Sequence, residues 1–265
     1  MMLIILGIVL IVLILLVCGD RGSKSIISTV IHCGVLLLSI SLLYRGLNPL
    51  LVTFAACTLI TCITMFYQNE ADVKSKAAFI SVIAVIIVLI PFVYYLATGS
   101  NAEGFNAEQY EITDSNGYTR NIGISMLYLQ MCVMIIALIG TVIDISIAIT
   151  TSIYEIRSNG TQLTLKELTA AAFVSSRSIL NTSIHTIFYI YIAEYLTLMI
   201  QYVDEYSLVR LINSESFCSE FISVTVSGIG CCLIVPVAAV TGAVMIDKFF
   251  KKKEEAEKAV EEKTI

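Results

Sequence analysis

Apolar residues do not alternate with polar ones in this chain; they run in long blocks separated by short polar breaks. The blocks lie near 2–18, 26–43, 49–66, 77–97, 123–153, 179–202 and 217–246. A hydrocarbon layer about 30 Å thick is crossed by roughly 20 helical residues at 1.5 Å each. The pattern therefore predicts an all-α, polytopic bundle of about seven spanning helices over residues 1–250, followed by a charged tail at 251–265. Pro49 stands where it can open a helix, since its missing N–H is one that the first turn leaves unbonded anyway. Pro91 and Pro236 fall inside blocks and should kink them.

Composition sharpens this picture. Hydrophobic residues make up 57% of the 265 and charged residues 14%, too few polar groups to clothe a water-soluble core of this size. Met1 to Val17 has no basic start and no small-residue cleavage site, so it is expected to be a retained first helix. Leu15–Cys18 resembles a lipoprotein box only loosely, because Val17 stands where a small residue belongs. The eight cysteines sit mostly in apolar blocks without metal-type spacing and are expected as small buried hydrophobes.

Charge sets the orientation. Thirteen lysines and arginines, from Arg21 and Lys24 through Lys74, Arg157 and Arg177 to the Lys251–Lys253 cluster, fall on one side, and only Arg45, Arg120 and Arg210 on the other. The basic side is the cytoplasmic one, which puts the C-terminus in and the N-terminus out. No basic stripe with interleaved aromatics suggests nucleic acid, and the expected surroundings are the lipid bilayer. The outer loop near 98–122 is acidic and too short for a domain; it is expected to be solvated. Thr164 and Glu167 form a capping-box pair ahead of Leu168, Ala172 and Phe173, which predicts an amphipathic helix at the inner surface that feeds into the block 179–202.

Candidate chemistry is sparse. There is no P-loop, HExxH or GxSxG pattern, and neither a cofactor, a metal site nor an enzymatic activity is expected. Asp144 lies about 13 Å from the inner end of the block 123–153, on a stripe with Gly140, Thr141, Ala148, Thr151 and Glu155. A carboxylate at that depth costs about 3 kcal/mol unless it is paired, protonated or hydrated, and intramembrane acids commonly serve proton or ion pathways. The plainer reading of Asp144 is a buried hydrogen-bond partner. Arg177, Asn181 and His185 share a face of the next block, with His185 near the depth of Asp144. Asp144, Arg177 and His185 are the primary candidates for a proton or transport site. His32, at a similar depth, and Glu194, around the helix from His185, are secondary. A helix–helix hydrogen bond for the histidines and a snorkelling contact for Arg177 are the competing roles.

These same residues resemble the YibE/F family of bacterial membrane proteins. The helix from Gly140 to Asp144, Glu155-Ile156, Lys166-Glu167-Leu168, Arg177 with Thr182, and the last helix with Gly228 and Pro236 carry the likeness, clearest over 125–246. Glu194 departs from it, since the family tends to have a small residue there. The resemblance implies a bacterial plasma-membrane protein, often paired with a longer YibE-like partner. A weaker similarity, in the order of an Asp-bearing helix, a loop helix and an Arg-led helix, is to the SecF half of the resistance-nodulation-division transporters. By position it matches Asp144 to their acid and Arg177 to their arginine, although Ile143 and Ile145 replace polar neighbours and no large external domain is present. Those transporters use two related halves, so a homo-oligomer or a YibE-like partner is expected. A transport-type subunit and a non-transporting scaffold or regulatory subunit are the two functional readings.

Orientation is directly testable. With the native cysteines replaced, Glu108→Cys in intact cells should react with an impermeant thiol reagent, and Glu255→Cys should not. Labelling of Glu255→Cys from outside would reverse the topology.

Overall fold

The computed structural model describes residues 2–69, 71–99, 111–113, 119–121, 123, 125–159, 163–205, 209 and 215–264. It is a helical bundle. Helix α1 covers Met2–Tyr44, α2 Pro49–Cys62, α3 Val73–Gly99, α4 Met126–Ser158, α5 Leu165–Glu205 and α6 Glu215–Thr264. Strands β1 (Glu111–Thr113) and β2 (Thr119–Asn121) pair antiparallel as a small ribbon inside the acidic loop. The rest of that loop, with Glu103, Glu108 and Asp114, lies outside the described residues.

Five of the described helices are long and apolar enough to cross a membrane: Ile4–Tyr44, Pro49–Gln68, Val73–Gly99, Leu127–Ser158 and Phe217–Ala256. Two features separate this count from the seven predicted blocks. The first two blocks form one helical run broken at Gly19, whose φ of 55° and ψ of −130° suit only glycine. A Cβ on Gly22 would stand 2.6 Å from the Ile14 carbonyl oxygen, whereas eight residues span about 12 Å along a straight helix, so the chain folds back there. The sixth block belongs to α5, whose 41 residues include Asn181, Thr182 and His185 and are more polar than those of α1 to α4.

Local sequence explains the ends. Gly46, at φ 80°, closes α1 in a Schellman motif, with its N–H donating to Leu43 O (2.9 Å) and Leu47 N–H to Leu42 O (3.4 Å). Asn48 caps α2 by accepting from Leu50 N, with Pro49 first in the helix. The α2 rod ends in a π-helical turn, Ile63–Gln68, where both the backbone and side-chain nitrogens of Asn69 donate to Thr64 O. At the start of α5 the capping box forms as predicted: Glu167 N donates to Thr164 Oγ1 (3.4 Å) and Thr164 N to Glu167 Oε2 (2.8 Å). Those bonds, the amide first, hold the Glu167 carboxyl below the usual carboxylate range. The amphipathic segment packs Leu168 and Ala172 into the protein core, and it continues into α5 without a break. Nor does the helix break at the expected tail boundary, because α6 passes unbroken through residue 251.

The core is built by α3, α4 and α6. Val85, Ile86 and Leu89 pack with Leu138, Val142, Ile145, Ile149 and Ile153, and with Ile234, Ala238 and Ala243. Gly242 and Gly230 let α6 approach α4; a Cβ at Gly242 would meet Ile153 Cδ1 at 2.8 Å, and one at Gly230 would meet Val142 Cγ2 at 3.4 Å. Gly140, by contrast, has open space around it. Cysteine burial is mixed: Cys57, Cys132 and Cys231 are buried, whereas Cys18, Cys33 and Cys232 are exposed on outer helix faces.

Hydroxyls and ions pin the helices laterally. Gln130 donates to Ser219 Oγ, Ser146 to the Ala78 carbonyl, and Ser81 pairs with Thr241. At the predicted inner end, Arg157 is 7% exposed and pairs with Asp247, which is 5% exposed, at 3.6 Å. Arg157 also donates to Glu254 (2.9 Å), and Lys251 completes the cluster on Asp247 at 2.7 Å. Removing one member of a buried pair strands the other's charge. Asp247→Asn is therefore expected to destabilise the bundle by about 3 kcal/mol or more. Glu254→Gln, at a half-exposed position, should cost about 1 kcal/mol or less. Reversible unfolding in mixed micelles compares the two directly, and equal effects would remove the buried pair as an anchor.

Candidate functional site

One face of α4 is sealed by the core and the other is not. Leu138, Val142, Ile145, Ile149 and Ile153 are buried, whereas Gly140, Asp144 and Glu155 are exposed and Thr141, Ala148 and Thr151 only partly covered. The polar stripe seen in the sequence is thus the unsealed face. Beside its C-terminal half runs a groove of about 420 Å³, walled by Asp144, Ala148, Thr151, Ser152 and Glu155 from α4 and by Thr64, Gln68 and Asn69 from the π-helical turn. Asp144 is its deepest α4 residue, and Glu155 lies about 16 Å nearer the helix end.

The π-helical turn makes the other wall polar. Its wider winding carries Thr64, Gln68 and Asn69 into the wall of the groove. A second hollow of about 180 Å³ shares Gln68, Asn69, Ile147 and Thr151 with the groove and adds Arg21 and Lys74. The groove thus has acids along its length and a pair of cations beside it. Among the described residues, Asp144 makes neither a hydrogen bond nor an ion pair with the protein, so no intramolecular partner offsets its charge.

The candidates do not all converge. Ser152 and Ser175 hydroxyls meet at 2.9 Å and set the antiparallel register of α4 and α5. His185 is ten residues beyond Ser175 and Asp144 eight before Ser152, so the two lie at nearly one level, as expected. Yet His185 is exposed and stacks on Tyr189 at 6.3 Å, Arg177 is exposed, and neither lines the groove. His32 is the histidine that reaches the groove wall: its Nε2 lies 3.3 Å from Thr64 Oγ1 and 3.4 Å from Ser28 Oγ. Glu194 belongs to α5, and its side chain lies outside the described residues.

Sequence reading missed the polar wall. Gln68 and Asn69 follow an apolar run and look like an ordinary loop; their placement depends on the π turn, which no residue pattern announces. Among the described residues, no group of three or more His, Cys, Asp or Glu is arranged to hold a metal ion.

Comparison with known proteins places this chain in a family. No curated protein and no solved structure matches the chain. A family model for YibE/F-like proteins matches residues 6–248, so the likeness extends well beyond the 125–246 region where the residues carry it most clearly. Since only the first five and last seventeen residues fall outside that match, the chain belongs to the YibE/F-like protein family.

Proposed function

We propose that this membrane protein is a transport-type subunit of the bacterial plasma membrane in which Asp144 takes up and releases a proton. The observation that carries the reading is the position of Asp144: at the deep end of a polar groove, without a partner for its charge among the described residues. A groove walled by amides and hydroxyls can hold the water that such a carboxylate requires, because each water needs two to four polar partners. A residue that loses hydration when the groove narrows becomes easier to protonate, which couples helix movement to proton occupancy. Arg177 and His185 act at most from α5, across the register rather than within the groove.

The second reading is a scaffold or regulatory subunit, and one observation favours it. In the 18-residue apolar window of α1, none of the residues is buried within the chain, a surface that suits a second copy or a YibE-like partner as well as it suits lipid. An assembly would also cover the open face of α4 that carries Asp144.

The two readings diverge on one substitution. Asp144→Asn keeps size and hydrogen bonding but cannot titrate. In reconstituted vesicles, or in any phenotype the intact protein supports, it is expected to fall to the level of the deletion, with Asp144→Glu partly active. Full activity of Asp144→Asn would sink the proton reading and leave the scaffold. A strictly monomeric, fully active particle in vesicles would sink the assembly.

A further inference from the structure

Between the outer halves of α4, α5 and α6 lies a second, half-open cavity of about 210 Å³, separate from the groove. Its polar lining is Thr141 from α4, Tyr191 from α5, and Glu220, Ser223 and Ser227 from α6; isoleucines, an alanine and a valine complete it. Glu220 is the one charge among the described residues that line it, and no lysine, arginine or histidine is among them. Glu220 and Tyr191 are its titratable groups, and α4 contributes none.

The serine and threonine hydroxyls are polarised in one sense. Ser223 Oγ donates to Ser219 O (3.1 Å), Ser227 Oγ to Ser223 O (3.0 Å) and Thr141 Oγ1 to Leu138 O (2.9 Å). Each hydrogen is thus directed to a helix carbonyl, and what the oxygens have left to offer is lone pairs. A cavity with one carboxylate and several acceptor oxygens repels anions. A calcium-type ion takes six to eight oxygens, usually from several carboxylates, so a single acid is too little charge for it. The volume holds several waters at about 30 Å³ each, enough for an ion that keeps part of its hydration.

We propose that this outer cavity binds a small monovalent cation, hydronium or sodium, with Glu220 as its counter-charge and Thr141, Ser223 and Ser227 as neutral ligands. The site stands on its own geometry; its place in a pathway rests on the reading of Asp144 above. That place follows from α4. Thr141, which floors the cavity, and Asp144, which heads the inner groove, lie on the same face of α4 about 4.5 Å apart along its axis. From Glu220 to Ser227 the cavity descends about 10 Å along α6. One turn of α4 therefore separates an outer cation site from an inner acid.

The test uses the full chain in lipid nanodiscs. One arm measures binding of radiolabelled sodium at alkaline pH against choline; the other follows the protonated-carboxyl band by infrared spectroscopy during acid titration. Saturable sodium binding identifies sodium, and a carboxyl component that Glu220→Gln removes, without sodium binding, identifies the proton. Glu220→Gln should weaken sodium binding roughly tenfold or more, as expected when a charge-assisted contact is lost, or abolish that one component of the band. Asp144→Asn should retain the sodium binding or the Glu220 component, which separates this proposal from the inner-groove reading. The pair Thr141→Val with Ser227→Ala, which removes two ligand oxygens without touching the acid, should weaken it as well and serves if Glu220→Gln fails to fold. A signal indifferent to Glu220→Gln, one lost only in Asp144→Asn, or no signal in either arm overturns the outer site.

Discussion

Helices α4 and α6 run parallel, in contact along most of their length, at an offset of about ninety residues. Gln130 meets Ser219, Leu138 and Val142 meet Gly230, Thr150 and Ile153 meet Gly242, and Arg157 meets Asp247. In lipid, apolar side chains gain little from leaving their solvent, so helices associate through close van der Waals packing and satisfied polar contacts. The glycines of α6 supply the first and the Gln–Ser and Arg–Asp pairs at opposite ends supply the second. With both ends pinned, α6 cannot slide or rotate on α4 without stranding a buried charge at one end and an amide at the other. α3 then fills the remaining side of the same interface with Val85, Ile86 and Leu89.

That packing decides which face of α4 is left open. Val142, Ile145, Ile149 and Ile153 are committed to α3 and α6, so Asp144, Ala148 and Thr151 necessarily turn away from the core. The hydroxyl-bearing residues along the bundle mostly bond to carbonyls of their own helices, which makes them tolerable in an apolar setting and leaves their lone pairs for whatever occupies the hollows. The groove and the outer cavity are thus consequences of the same parallel pair: its sealed side makes the bundle rigid, and its open side carries the polar groups.

Much of this was legible in the residues. Block hydropathy identifies the membrane helices, Pro49 with Asn48 and the Thr164–Glu167 box fix two helix starts, and helical spacing finds the stripe through Asp144. Spacing also puts His185 at the level of Asp144, but depth is one coordinate and facing is another. α5 meets α4 through Ser175 and Ser152, and the rotation of α5 about its own axis leaves His185 and Arg177 outside the groove. A periodic pattern reports which residues share a face; it does not report which neighbour that face meets. The Gly19 reversal and the π turn at Ile63–Gln68 escape for a related reason, since both are single backbone departures inside long apolar runs. Arg157 likewise reads as one more inner-side cation, and only tertiary contact makes it a buried anchor.

The cost of an open acid bounds what can surround this chain. Facing hydrocarbon, the Asp144 carboxylate would carry an uncompensated penalty of about 3 kcal/mol. Protonation removes that penalty at the expense of holding a proton, hydration removes it only while the groove is wet, and a partner helix removes it by supplying donors. Each of these makes the state of Asp144 depend on something that can change. A purely structural carboxylate would instead have a fixed donor within the chain, as Asp247 has in Arg157 and Lys251. The two acids of similar chemistry are thus placed in opposite ways, one locked between cations at the helix ends and one left open at mid-depth.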